Sequence, residues 1–532
     1  MSRSVYQKIS AHIREDGSLD PSFSLYDFKK TRDPYAKDGA KDALILFHER
    51  RKNTDAERFF EAFNYLAEER FEEAFELLSR AFGEESIVRA VPVLSEGLAH
   101  IMLSRNPYPL INALIGLLTK SEDPELIKFA LLALEHVPLE RHPEVKQIIK
   151  TLALSDELTF FAALPMGSWP EGEQLIAETA KKVHGWGRIM LVPRLPFDDK
   201  ETNLWLLDEG QYNDAHPQYN ATVILSRSLL PGLLNDPDLT EARFRKLSRL
   251  FLNSLRPESL LVTFEDLHPE FQLSFIEAWL NAASRFALTA ADCEILLRLD
   301  DFLQFLLMQQ EEEYTEDIPA EEIMSRFKSA ELYAPYREEI SRLAAYTASF
   351  LDIPLFADIV LREKGEIGLH KMGALSGLLE NPQDVLDLLS LDPEENIDAI
   401  GILSGYPYYY EKMLERFADV LPLNEMAQGP RAERQGNDLS FSEILLIEIL
   451  ISLRQHHGAG RPFLICGLQS SHVSCRLTAL LTLDFWMYQA PVPLKLFDPD
   501  IFRLLQVLSE YEENPVNRFY LREILSMHVR KI

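Results

Sequence analysis

Cysteine is scarce in this chain, with three in 532 residues. Cys293, Cys466 and Cys475 are too few for a disulfide framework, so a reducing, cytoplasmic setting is expected. Long apolar runs are missing as well. The strongest, at 444–451, is short and interrupted by Glu448, so no segment reads as a membrane span. Residues 1–16 mix charges with apolar side chains and lack the apolar core of a signal peptide. Basic residues are in deficit, with 54 Lys and Arg against 84 Asp and Glu for a net charge of −30. Neutralising phosphate requires a concentrated basic surface, so neither nucleic acid nor an anionic membrane is an expected partner.

Catalytic signatures are equally thin. Ser376 and Ser404 each sit in G-x-L-S-G, one position late for a G-x-S-x-G elbow and inside helical patterns. Gly185-Trp186-Gly187 and Gly458-Ala459-Gly460 are bare G-x-G pairs, with Met190 and Phe463 where a third glycine would cradle phosphate. His456, His457, Cys466, His472 and Cys475 form one loose group of soft ligands. Only His472 and Cys475 share a helix face, and the spacing matches no common zinc module, so a histidine cap and a buried cysteine are expected. His142-Pro143-Glu144 and His268-Pro269-Glu270 carry ligand types of an iron site. Proline followed by glutamate is, however, how a helix starts. The acidic run 311–317 reads as a solvated loop or frayed helix end. No catalytic residue, metal or cofactor is expected.

Helical texture is what the chain has in abundance. Asp123 followed by Pro124 caps a nearly continuous apolar face through Leu134, and residues 473–483 repeat the texture with Arg476, Ala479, Leu480 and Leu483 at helical spacing. Prolines and glycines stand singly at helix ends. Such units bury their faces by stacking, which predicts an all-α, HEAT/armadillo-like α-solenoid of helix pairs. The expected organisation is an N-terminal capping segment (1–54), helical repeats (55–164) and an irregular Gly/Pro/Trp-rich segment (165–240). Further repeats (241–421), a mobile loop (422–440) and C-terminal repeats (441–532) follow. G-x-L-S-G at 373–377 recurs at 401–405, an internal echo whose small residues would let helices approach closely. Tyr406, Tyr408, Tyr409 and Tyr410 form a dense aromatic run beside a predicted helix start. Successive tyrosines cannot all face one core, and tyrosine offers a large contact area at low entropy cost.

The stretch from Ala180 through Val-His-Gly-Trp-Gly-Arg-Ile (183–189) to Leu195, followed by Trp205-Leu206-Leu207, Gly210, Asn213 and Tyr219, resembles an uncharacterised bacterial HEAT-like family. Residues 38–48 are similar to an N-terminal segment of the same proteins. Some members carry the label limonene hydroxylase, and no residue pattern in this chain supplies a redox site for it. The chain departs from the family pattern at Met190, Pro193 and Ile224. His184, Trp186 and Arg188 are the positions the resemblance leaves to line a groove.

The expected function is therefore a non-catalytic scaffold that binds a partner protein on a groove, with His184, Trp186, Arg188 and the four tyrosines as candidate binding residues. The alternative is an enzyme or small-ligand-binding protein with a pocket near residues 184–219.

Overall fold

A computed structural model describes residues 3–526 apart from 27–32, 49–55, 84, 105, 136, 138, 140–141, 217, 256–262, 310–330, 352–354, 356–358, 360–381, 395, 398, 431–438 and 490–492. Every extended element among the described residues is helical. Their one β pairing is an isolated antiparallel bridge between Ile13 and Leu19. The chain divides into two compact units. One comprises Met1–Leu195, Tyr212–His216 and Tyr410–Ile532, and the other Pro196–Gln211 and Pro217–Tyr409.

Local chemistry sets the helix ends. Asp123 accepts a hydrogen bond from the Glu125 amide (2.9 Å), and Pro124 opens the helix Pro124–Leu134 where its missing N–H costs nothing. Pro143 and Pro269 likewise open helices, so the two His-Pro-Glu triplets are helix starts. His268 Nδ1 accepts from the Glu270 amide. His472 Nδ1 accepts from Ser474 N (3.2 Å), and Cys475 is buried on the following helix Val473–Gln489. Ser440 and Glu443 form a reciprocal capping box at the start of Phe441–Ser452. In the expected loop 422–440, Leu423–Met426 is a helical turn. Gly401 lies in the helix Ala399–Ser404, whereas its echo at 373–377 and the acidic run 311–317 fall outside the described residues.

In the first unit, helices Glu57–Ala67 and Phe71–Phe82 pair through Phe59, Ala62 and Leu66 against Ala74, Leu78 and Phe82, with the Phe59 and Phe82 rings 6.0 Å apart. Gly467 lets three helices meet. A Cβ there would lie 2.8 Å from Leu450 and 2.9 Å from Ala479. A linear stack touches only its sequence neighbours, and this unit adds bonds between distant parts of the chain. Asp33, fully buried, accepts from Arg454 Nη2 (2.8 Å) and Thr478 Oγ1 (2.7 Å), and Arg89 pairs with Glu523 (3.2 Å). A buried carboxylate has to find such partners wherever the chain supplies them. The second unit is held by an aromatic core. Phe251 packs on Phe275 (4.8 Å), and the Trp279 indole donates to Ser248 (3.0 Å).

Candidate functional site

The segment 183–188 runs from the end of the helix Gly172–Lys182 into the first turn of the helix Trp186–Leu191, both in the first unit. Its glycines face one carboxylate. A Cβ on Gly185 would come within 2.3 Å of Asp156 Oδ2, and one on Gly187 within 2.5 Å of Asp156 Oδ1 and 2.6 Å of Thr159 Oγ1. Gly39 (φ +82°) closes the third side, where a Cβ would meet the Asp156 carbonyl at 2.6 Å. The Gly187 amide donates to Asp156 Oδ1 (2.9 Å). Burial pushes the Asp156 carboxyl up to about 6, against the pull of the Gly187 amide and Lys37.

Trp186 is 0% exposed. Its indole N–H donates to the Pro34 carbonyl (2.7 Å), and its ring packs against Tyr35 at 6.0 Å. Arg188 is buried, and its guanidinium donates to the carbonyls of Val183 (2.8 Å), Ala180 (3.2 Å) and Tyr212 (2.7 Å), with His184 Nδ1 at 3.0 Å. This one side chain joins the end of Gly172–Lys182 to the segment Tyr212–His216. The Asp214 amide donates to the His184 carbonyl (2.6 Å), and Lys37 Nζ donates to the Asp214 carbonyl. His216 packs over Tyr35 at 5.6 Å. Of the three predicted residues, only His184 is exposed. A fully buried indole presents no surface to a partner, so Trp186 acts by fixing the turn. Asp156, Lys37, Tyr35 and His216, none singled out from sequence, complete the cluster.

Beside it lies a buried ionic hub. Lys128, 0% exposed in the middle of Pro124–Leu134, places Nζ 2.5 Å from Glu157, 2.6 Å from Asp42 and 2.9 Å from Glu125. Glu125 also receives Lys41 (3.2 Å). Glu157 accepts from the Tyr26 hydroxyl (3.1 Å) and the Gly39 amide (2.8 Å), which links the hub to the glycine-walled cluster. Burial lifts Glu125, but two ammonium groups outweigh it and hold the carboxyl at about 2. Burial also lifts Asp42, which has only Lys128 close by and no hydrogen-bond partner on Oδ1, so it settles at about 6. Burial and the neighbouring Glu157 raise Asp38 to about 7 despite bonds from Ser24 and Leu25.

These shifts set a pH dependence. Asp38, Asp42 and Asp156 bind protons more tightly folded than at their ordinary value of 3.8, so their protonation favours the folded state as pH falls through about 7 to 6. Glu125 acts oppositely. Its contribution is present above 4.5 and is lost as pH falls towards 2. Thermal stability is therefore expected to be higher at about pH 5.5 than at pH 8 and to fall again only below about pH 3.8, where the three aspartates are protonated in both states and Glu125 alone still titrates. Asp42→Asn should recover about 1–3 kcal/mol at pH 8 and flatten the upper limb. Calorimetry across this range checks both, and a variant less stable than wild type at pH 8 would contradict the assignment.

The tyrosine run opens the helix Pro407–Val420, whose turn of about 100° per residue sends neighbours to different faces. Tyr408 is 61% exposed and lies edge-on to half-buried Tyr409, with ring centroids 5.2 Å apart, and Tyr406 is half-buried. Tyr410 is buried. Its hydroxyl bonds Ser452 Oγ (2.6 Å), its ring stacks on His456 at 4.1 Å, and burial pushes its phenol up. Among the described residues no group of three or more His, Cys, Asp or Glu is arranged to hold a metal ion, and no helix is long and apolar enough to cross a membrane. Comparison with known protein families, curated proteins and solved structures finds no match to this chain.

Proposed function

We propose that this protein is a cytoplasmic, non-catalytic interaction scaffold, built of HEAT-like helix pairs related to the bacterial family that the V-H-G-W-G-R-I segment resembles. The observation that carries the reading is the division of labour among the candidate residues. Trp186 and Arg188 spend their polar atoms on the chain's own carbonyls, whereas Tyr408 stands exposed beside Tyr409 at a helix start. An exposed tyrosine pair supplies rigid, amphipathic contact area of the kind that anchors protein interfaces. Tyr408→Ala is expected to lower partner recovery from the native host at least about tenfold, with thermal stability unchanged. Quantitative mass spectrometry of tagged wild-type and variant protein measures this, and equal recovery would remove the tyrosine edge from the reading.

A second reading, a small-ligand or catalytic site near residues 184–219, draws on one observation. Asp156, held at about 6, lies close to Lys37, whose ammonium burial pulls down, and Arg188 ties His184 into the same cluster. Perturbed groups gathered in one place are a mark of functional sites. Thermal-shift screening of small anions and metabolites separates the two readings, since a ligand that stabilises wild type but not Asp156→Asn favours the second.

A further inference from the structure

A groove of about 720 Å³ opens on the first unit between the end of Pro407–Val420, the turn Leu423–Met426 and the helix Arg461–Leu468. Its size is that of a ligand cleft, about 300–1,000 Å³. Leu421, Leu423, Ile465 and Cys466 supply apolar surface, and Pro422 and Pro462 stand exposed at the edges. Burial pushes the Cys466 thiol up to about 12, and its S–H points to the Leu423 carbonyl at 3.4 Å, so the thiol is an inert part of the lining.

Among the described residues, the lining carries two carboxylates and one guanidinium. Asp419 and Glu425 are exposed on its lining. Arg461, the one cationic residue of the lining among the described residues, is already committed. Its Nε and Nη2 donate to the two oxygens of Asp498 (2.7 and 3.2 Å), with Asp500 at 3.5 Å. That pairing holds the Asp498 carboxyl below its usual range. Asp498 and Asp500 lie outside the lining, and Asp500 is also paired with Arg503 (3.3 Å), so the uncommitted charges of the lining are the carboxylates of Asp419 and Glu425. An aliphatic floor rimmed by uncommitted carboxylates suits a side chain with an apolar stem and a cationic head, which is the chemistry of lysine and arginine.

We propose that this groove docks an extended basic peptide segment of a partner protein, in which lysine or arginine alternates with aliphatic residues. The inference rests on the scaffold reading and gives it a second contact, independent of the tyrosine edge. Aliphatic stems lie along Leu423 and Ile465, and the cationic heads meet Asp419 and Glu425.

Fluorescence polarisation with a labelled peptide alternating lysine and leucine tests it, with a glutamate–leucine peptide as the counter-probe. Wild type is expected to bind the first and not the second. Asp419→Lys combined with Glu425→Lys, both exposed positions, should weaken binding at least about tenfold. Glu72→Lys combined with Glu173→Lys makes the same change in total charge at exposed residues that do not line the groove, and should alter binding less than about twofold. Leu423→Glu should remove binding as well, and circular dichroism establishes that each variant folds. Equal weakening by the two charge-reversed pairs would show general attraction to an acidic protein and overturn the proposal. Wild type that ignores the lysine–leucine peptide up to millimolar concentration, while Tyr408-dependent recovery persists, would overturn the groove and leave the scaffold reading standing.

Discussion

Lys128→Met is expected to destabilise the first unit by about 3–5 kcal/mol, the usual cost of removing one partner from a buried ionic group. The reason is the company the ammonium keeps. Asp42, Glu125 and Glu157 all lie within 2.9 Å of Nζ, and Asp42 has no other cation so close. Methionine fills nearly the same volume, so the loss is electrostatic and not a cavity effect. At roughly 2 °C per kcal/mol for a body of this size, the melting temperature should drop by about 6–10 °C. The deficit should shrink at about pH 5, where the Asp42 carboxyl, settled at about 6, is protonated. Glu125 keeps Lys41 as a partner and should contribute little to the change. Adding Asp42→Asn to Lys128→Met should restore part of the stability at pH 8, a coupling that a double-mutant cycle measures directly. The rest stays lost because Glu157 also loses Lys128. A variant as stable as wild type at pH 8 would contradict the hub.

Trp186→Ala should cost at least as much. Deleting a fully buried tryptophan typically costs about 3–5 kcal/mol through lost burial and the cavity left behind. Here it also removes the closer donor to the Pro34 carbonyl, which keeps only the Lys37 amide at 3.4 Å, a further loss of about 1 kcal/mol. Tyr35 loses the ring it packs against, and Tyr35 in turn packs on His216, so the damage should spread to the Tyr212–His216 segment. Trp186→Phe keeps most of the apolar area and should recover more than half of the loss. Denaturant unfolding monitored by circular dichroism checks both. A change under about 1 kcal/mol, accompanied by loss of a ligand or partner, would make Trp186 a binding residue instead of a structural one.

Helix identity was the most legible part of this chain. Asp123-Pro124, His142-Pro143 and His268-Pro269 are punctuation that works within a few residues, and each opens a helix. Periodicity also separates faces, so a run of four tyrosines at 406–410 had to divide, with Tyr410 inside and Tyr408 outside. What covers each face is a different matter. The apolar run 127–134 contains Lys128, and a lysine inside such a face signals a buried charge in need of partners. Periodicity does not say where they come from, and Glu157 lies 29 positions away. The glycines at 185 and 187 have the same character. Locally they read as a helix break, and their cause is a carboxylate 31 positions upstream of Gly187. The bond from Arg454 to Asp33 spans 421 positions, far beyond anything the order of helix pairs implies.

The polar chemistry of the 183–188 motif is directed inward, so partner binding should depend on exposed side chains outside it. The most direct measurement is quantitative partner recovery from the native host with Tyr408→Ala and Asp156→Asn run beside wild type at matched folded concentration. The expected result is a loss of at least about tenfold for Tyr408→Ala and recovery within about twofold for Asp156→Asn. Full recovery with Tyr408→Ala and loss with Asp156→Asn would contradict the scaffold reading and move function to the glycine-walled carboxylate.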